Sequence, residues 1–174
     1  ASRLGVACER ALQFEYAKAP IDHGRDTPGR MLRIFERGHV MEDCMVAWLR
    51  EAGFDLRTRK PDGEQFGFSV ADGRLQGHID GVITDLLGID RLLELKAVEH
   101  FTFTRYAEGN YPTNYLVQVV FYLVGLAALN PHIDEALLLI KNKNQSAFLE
   151  YRVRYDREND RLTVLEITHS TGTR

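Results

Sequence analysis

The sequence has little cysteine and no long apolar run. Only two of its 174 residues are cysteine, Cys8 and Cys44, and they form no C-x-x-C pair. This spacing supports neither a zinc site nor a disulfide framework, and a reducing, intracellular environment fits it best. The longest uncharged stretch, residues 109–133, has its apolar centre at residues 115–129. That centre is too short for a membrane-spanning helix, which needs about 20 apolar residues, and is typical of a buried core helix.

An excess of one charge is also missing. Lys and Arg number 22 against 25 Asp and Glu, for a formal net charge of −3, and 44% of residues are hydrophobic. This composition excludes a disordered chain, which combines low hydrophobicity with high net charge. It also excludes a uniformly basic coat for nucleic acid, although a local basic groove remains open. Without repeats or linkers, the sequence predicts one domain over residues 1–174.

Hydrophobic periodicity predicts four helices. They are expected at residues 2–18, 28–53, 99–108 and 112–130. The second helix has Thr27 as its predicted N-cap and Pro28 in its first turn. Its apolar residues recur at helical spacing and should face the core; they are Met31, Ile34, Phe35, Met41, Met45, Trp48 and Leu49. The fourth helix is apolar nearly all round, so we expect it inside the protein.

Elsewhere the apolar period is that of strands. Three strands of a meander are expected at residues 65–70, 74–85 and 91–98, and three more at residues 136–141, 148–155 and 162–168. This order of elements predicts an α/β fold of α+β layers, with a mixed central β-sheet flanked by helices.

Charged residues interrupt one apolar strand of the meander. Side chains at i and i+2 of a strand point to the same face, so Glu94 and Lys96 should project together. Burying them is costly without partners, and Asp80 on the preceding strand can be a neighbour. Two close carboxylates repel unless a cation lies between them, and hard oxygen ligands suit Mg²⁺ or Mn²⁺. The alternative is a plain Glu94–Lys96 salt bridge on an exposed sheet face.

Polar residues also fall within the apolar faces of two helices. At 100° per residue, Glu42 lies in the apolar stripe of the second helix, with His39 at its edge. Glu42 there needs a metal or a partner such as an arginine, whereas His39 can be an ordinary boundary histidine. Gln118 and Tyr122 share a face of the fourth helix because they are four residues apart. Either Gln118 is a satisfied core amide, or the pair orients a catalytic group or binds a phosphate.

These pieces, in this order, resemble a known family. The sequence is similar to the RecB-like and lambda-exonuclease-like branch of the PD-(D/E)xK nucleases, which includes the YqaJ-type phage exonucleases. The resemblance covers residues 38–122. It rests on a helical Gly-x-x-x-Glu ending at Glu42, on G-H-I-D-G at 77–81, on E-L-K at 94–96 and on Gln-x-x-x-Tyr at 118–122. Ile79 replaces the proline that names the superfamily, as is common in this branch.

The resemblance implies a restriction-endonuclease-like core and a divalent-metal-dependent DNA nuclease, expected to be a 5′-to-3′ exonuclease of phage or recombination type. The alternatives are an endonuclease or flap nuclease on the same site, and a non-catalytic DNA-end-binding module. The expected partners are DNA as duplex ends or single strands, a single-strand annealing protein and other copies of the chain, with no membrane. The expected location is the cytoplasm of a bacterial or phage-infected cell.

The resemblance also assigns roles to residues. Asp80, Glu94 and Lys96 would be catalytic, with Lys96 orienting or deprotonating the attacking water. Mg²⁺, for which Mn²⁺ would substitute, would be bound by Glu42, Asp80, Glu94 and the carbonyl of Leu95. Gln118 and Tyr122 would support the site or touch DNA. Cys8 stands where iron–sulfur members have their first ligand, but later cysteines are missing, so no iron–sulfur cluster is expected. The remaining candidates for supporting the site or binding DNA are His39, His78, Ser2, Arg3, Arg10, Lys141 and Lys143.

Overall fold

The computed structural model describes residues 8–20, 22, 24, 28–70, 72–73, 75–127 and 129–170. The helices in this part of the chain are α1 (Glu9–Tyr16), α2 (Gly29–Glu51), α3 (His100–Ala107) and α4 (Thr113–Leu126). The strands are β1 (Asp55–Arg57), β2 (Gly67–Val70), β3 (Leu75–His78), β4 (Gly81–Thr84), β5 (Asp90–Val98), β6 (Glu135–Asn142), β7 (Phe148–Asp156) and β8 (Arg161–Ser170).

Six of these strands form one mixed sheet in the order β1-β4-β5-β6-β7-β8. Strands β5 and β6 are parallel, and the other neighbours are antiparallel. A parallel pair needs a crossover connection, which α3 and α4 provide. Strands β2 and β3 form a separate antiparallel pair. The predicted α/β fold with a mixed central sheet is therefore confirmed.

The two faces of the sheet are covered by different helices. Leu92 and Val98 of β5 belong to a core that includes Val119 and Leu123 of α4. Odd-numbered residues, such as Leu93, pack in a second cluster with Met45 of α2. The prediction that the fourth helix is buried is confirmed. No helix among the described residues is long and apolar enough to cross a membrane.

The predicted core stripe of α2 is only partly buried, which corrects the sequence analysis. Met45 is buried, but Phe35 is 52% exposed and Trp48 is 45% exposed, and Met31 also lies at the surface. The helix is about 34 Å long at 1.5 Å per residue. It packs mainly on β1 and β5, so its first half extends beyond the strands that its second half covers. None of the residues of α1 is buried either, and residues 2–7 and Thr27 lie outside the described part.

The prediction of one strand over residues 74–85 is wrong. Strand β3 pairs with β2, whereas β4 pairs with β1 and β5. The chain changes sheets at Ile79 and Asp80. At Gly81 a Cβ atom would lie 2.8 Å from the carbonyl oxygen of Arg57, so a residue without a side chain lets β4 approach β1. The other predicted strands agree with the structure to within about two residues, and β1 was missed.

Candidate active site

The change of sheets leaves a gap beside β5. The β4–β5 register ends at the pair Gly81 and Leu93, so the next part of β5 has no strand on that side. There the N–H of Leu95 donates to Oδ2 of Asp80 at 2.7 Å. The carbonyl of Leu95 accepts from Nζ of Lys96 at 3.0 Å. Both backbone polar groups of Leu95 are therefore bound by side chains at the place where the sheet splits.

Glu94 lies under this gap and is only 1% exposed. One of its oxygens, Oε1, is 2.5 Å from Nζ of Lys96. The other, Oε2, is buried and has no hydrogen-bond partner among the described residues. Lys96 also lies over the ring of Tyr115, 5.8 Å from the centroid. Glu94 and Lys96 thus form a salt bridge, but it is buried and not on an exposed sheet face.

The acidic groups of the gap influence one another. Burial raises the pKa of Glu94 to about 8; Lys96 acts against this shift, and the negative charges of Asp80 and Glu42 add to it. Burial likewise raises the pKa of Asp80 and of Glu42. Burial disfavours the charged form of Lys96, but the surrounding carboxylates outweigh this and raise its pKa. The structure therefore brings these four side chains into one electrostatic environment.

A polar cleft of about 510 Å³ opens onto this environment. Glu42, Asp80 and Leu95 are among the residues that line it. Glu42 is half-buried, and its Oε2 lies 3.4 Å from Nδ1 of His39, whose side chain is largely exposed. The partner of Glu42 is thus His39, and no arginine pairs with it in the described part of the chain.

The residues present are of the chemical type that binds a hard divalent cation, but their side chains are not arranged as a metal-binding site. In the part of the chain that the structure describes, no three His, Cys, Asp or Glu side chains lie close enough together to hold a metal ion. The ammonium of Lys96 instead contacts two of the expected ligand atoms, Oε1 of Glu94 and the Leu95 carbonyl. Carboxylate and carbonyl oxygens are nevertheless the donors that Mg²⁺ prefers. A buried acceptor without a partner, such as Oε2 of Glu94, is also costly to leave unsatisfied.

Gln118 and Tyr122 lie behind the gap. Nε2 of Gln118 donates to the hydroxyl of Tyr122 at 2.6 Å, and both residues are 4% exposed. Burial and the charge of Glu94 raise the pKa of Tyr122. Of the two expected roles, support of the site is compatible with this burial, whereas contact with DNA is not.

The two candidate lysines are less accessible than the sequence suggested. Lys141 is 6% exposed, and its Nζ donates to the carbonyls of Asn142 and Gln145. Burial lowers its pKa. The side chain of Lys143 is also largely buried and pairs with Glu99 at 3.8 Å. Neither lysine presents a free ammonium to a DNA backbone in this arrangement.

The remaining candidates lie apart from the cleft or outside the described residues. His78 is exposed on β3 and has its ring over Gly67, and it is not among the residues that line the cleft. Arg10 is exposed on α1 and stacks over Phe14 at 5.3 Å. Ser2 and Arg3 lie outside the described residues. A role of these residues in DNA binding stays a prediction.

Sequence reasoning missed part of the cleft. Its lining also includes Asp43, Val46, Arg50, Thr58, Arg59 and Gln65. The first three lie on α2 at helical spacing from His39 and Glu42, so extending that row along the helix would have found them. The other three lie in and around the loop after β1. That segment has no hydrophobic period and matches no motif.

Comparison of the chain with protein-family models, with curated proteins and with solved structures found no match. The resemblance to the PD-(D/E)xK nucleases therefore depends on the four motifs. The structure adds that α2, the β3–β4 break and β5 bring Glu42, Asp80, Glu94 and Lys96 into one electrostatic environment. Glu42 and Asp80 also line the polar cleft, whereas Glu94 and Lys96 are not among its lining residues. This arrangement is the basis of the functional proposal.

Proposed function

We propose that the protein is a divalent-metal-dependent DNA nuclease with a restriction-endonuclease-like core. One observation carries the proposal. Glu94 is a buried carboxylate with an ammonium on one oxygen and no partner on the other among the described residues. It shares its surroundings with two further carboxylates, Asp80 and Glu42. Groups with strongly perturbed pKa values are concentrated at functional sites.

The chain's own residues have distinct tasks in this proposal. Asp80, Glu94, Glu42 and the Leu95 carbonyl would hold Mg²⁺ or Mn²⁺. When bound, such an ion supplies a hydroxide near neutral pH and offsets negative charge on the phosphate. The hydrogen bond from Leu95 to Asp80 fixes the carboxylate of Asp80 against β5.

Lys96 acts as a cation in this scheme. Its raised pKa keeps it protonated at neutral pH. It is therefore suited to orient the attacking water and to neutralise charge that develops on the phosphate, and not to remove a proton. The Gln118–Tyr122 pair lies in the core behind Glu94 and supports it from that side.

The direct test is hydrolysis of end-labelled duplex DNA in the presence of Mg²⁺. We expect release of labelled nucleotides that stops in EDTA. Asp80→Asn and Lys96→Met should each lower the rate by about 100-fold or more, the usual cost of removing a group that stabilises developing charge. Glu64→Gln is a matched control, because Glu64 is an exposed carboxylate whose ion pair among the described residues is with Lys60. Full activity in EDTA or in either site variant contradicts the proposal.

The substrate and the direction of digestion follow from the resemblance, which favours a 5′-to-3′ exonuclease. Duplexes labelled at the 5′ or the 3′ end give the polarity from the size of the first labelled product. Circular single-stranded DNA separates the reaction types, because an exonuclease leaves it intact and an endonuclease or flap nuclease cuts it. Binding of DNA ends without hydrolysis under any metal condition would instead indicate a non-catalytic end-binding module.

A further inference from the structure

One side of α2 forms a wall of the cleft and changes charge along its length. The residues in this row are His39, Glu42, Asp43, Val46 and Arg50. The carboxylates lie in the middle of the row and Arg50 ends it. Glu42 and Arg50 are eight residues apart, which is about 12 Å along the helix axis. Arg50 therefore begins about two helical turns further along the wall than Glu42.

The end of α2 and the loop after β1 fix the positions of two arginines. At the end of α2, Gly53 with a φ of +89° turns the chain so that the N–H of Phe54 bonds the Leu49 carbonyl at 3.1 Å, a Schellman motif. The loop then brings Arg59 to the cleft, where an isolated bridge pairs Arg59 with Gln65. Nε2 of Gln65 donates to the carbonyl of Ile79 at 3.3 Å, which ties this loop to the β3–β4 break.

Both arginines are held by neutral acceptors. Arg50 donates to Oγ1 of Thr58 at 2.9 Å, and Arg59 donates to the carbonyl of Gly63 at 3.0 Å. Within the described ranges, neither guanidinium has a carboxylate within 4 Å, whereas nearby Arg57 pairs with Asp90 at 2.5 Å. Arg50 and Arg59 are therefore exposed, oriented cations with uncompensated charge on the same cleft as the carboxylates. A guanidinium has five donors, so most of theirs are left for a ligand.

We propose that Arg50 and Arg59 form a phosphate-binding subsite that receives a backbone phosphate flanking the one beside Glu42 and Asp80. The inference rests on the proposed function and adds how the strand is held. A polyanionic strand in a cleft with carboxylates on one side needs cations elsewhere along its path. The planar fork of arginine matches phosphate oxygens in a bidentate manner.

The test measures binding separately from cleavage. A fluorescein-labelled DNA oligonucleotide is titrated with the full chain in EDTA, and anisotropy is recorded at several salt concentrations. We expect the double variant Arg50→Gln/Arg59→Gln to bind at least tenfold more weakly than the wild type. Each lost phosphate contact should also reduce the slope of log K against log salt by about 1. Arg50→Lys/Arg59→Lys, which keeps the charge, should keep the slope and lose only part of the affinity.

Two controls make the result specific. Arg161→Gln removes an exposed arginine at the opposite edge of the sheet, on β8, and should bind DNA as the wild type does. Thermal melting checks that each variant is folded. If Arg50→Gln/Arg59→Gln is unfolded, it is replaced by Arg59→Gln and Arg50→Lys/Arg59→Lys, and the DNA affinity of each is compared with that of Arg161→Gln. Suppose that the wild-type chain binds and cleaves DNA and that the folded variants keep its affinity and salt slope. This result overturns the subsite and leaves the proposed function intact. A wild-type chain that neither binds nor cleaves DNA overturns both.

Discussion

The carboxylate of Asp80 accepts a hydrogen bond from the backbone N–H of Leu95 at 2.7 Å, at the gap beside β5 where the chain passes from β3 into the main sheet. The bond takes the place of a strand-to-strand hydrogen bond at this position of β5. The same carboxylate is a proposed ligand, so Asp80 has a structural and a chemical task. Substitutions can separate the two tasks.

Asp80→Asn should keep the fold, and Asp80→Ala should weaken it. Asparagine retains an oxygen acceptor for the Leu95 N–H and removes a charge that burial disfavours. Alanine leaves the N–H without that acceptor, at a cost of about 1–3 kcal/mol. Thermal melting at pH 8 should give a midpoint for Asp80→Asn at or above the wild type and a lower one for Asp80→Ala. Equal melting of the two variants contradicts the role of the hydrogen bond.

Glu94 should make the protein less stable as the pH rises. Its pKa is raised from 4.5 to about 8 in the folded state, so between these values the folded state holds a proton that the unfolded state has lost. Its stabilising contribution is therefore complete below pH 4.5 and is lost as the pH rises to about 8, by up to about 1.4 kcal/mol per pH unit. We expect urea unfolding to show that Glu94→Gln loses less stability than the wild type from pH 5 to pH 8. A constant difference between them would show that Glu94 does not titrate in this range.

Gln118 and Tyr122 should contribute to the free energy of unfolding as a coupled pair, because each satisfies the other's buried polar group. Tyr122→Phe leaves the amide of buried Gln118 without its partner, which should cost about 1–3 kcal/mol. Adding Gln118→Leu removes that unsatisfied group. The double variant should therefore lose less unfolding free energy than the sum of the losses of the two single variants. A double-mutant cycle of unfolding free energies measures the coupling. Strict additivity would mean that the pair does not act as a unit.

Two helical glycines should respond to alanine in opposite ways. A Cβ at Gly125 of α4 would lie 2.2 Å from the ring of buried Phe68, whereas a Cβ at Gly38 of α2 meets nothing within 4 Å. Gly125→Ala should destabilise the protein by about 1–3 kcal/mol through overpacking. Gly38→Ala should stabilise it by about 0.5–1 kcal/mol through helix propensity. Denaturant unfolding of both variants checks the contrast, and a tolerated Gly125→Ala would mean that Phe68 can move aside.

Much of the site could be predicted because it follows regular periods. The i, i+2 spacing places Glu94 and Lys96 on one face of β5, and the helical row places Glu42 towards the core. The contact of Asp80 with the backbone of Leu95 could not be predicted, because an alternating pattern does not show where a strand changes sheets. Arg59 was missed for a related reason. Its position depends on loop hydrogen bonds, which leave no period in the sequence.

The fold likewise has features that the sequence predicts and features that only the tertiary structure determines. The all-round apolar pattern of α4 predicted its burial, because a helix without a polar face has no stable place at the surface. The stripe of α2 predicted burial for Phe35 as well as Met45, but of these two residues Met45 packs in the cluster on the sheet and Phe35 is exposed. Periodicity identifies the face of a helix, and only the tertiary structure shows how much of its length is covered.

In our proposal Glu42, Asp80, Glu94 and the Leu95 carbonyl together bind a divalent metal ion, Mg²⁺ or Mn²⁺. Calorimetric titration of the full chain with Mn²⁺ tests it without depending on cleavage. We expect saturable binding by the wild type and by Glu64→Gln, and at least tenfold weaker binding by Asp80→Asn and by Glu94→Gln. No binding by the wild type, or equal binding by all four proteins, would contradict it.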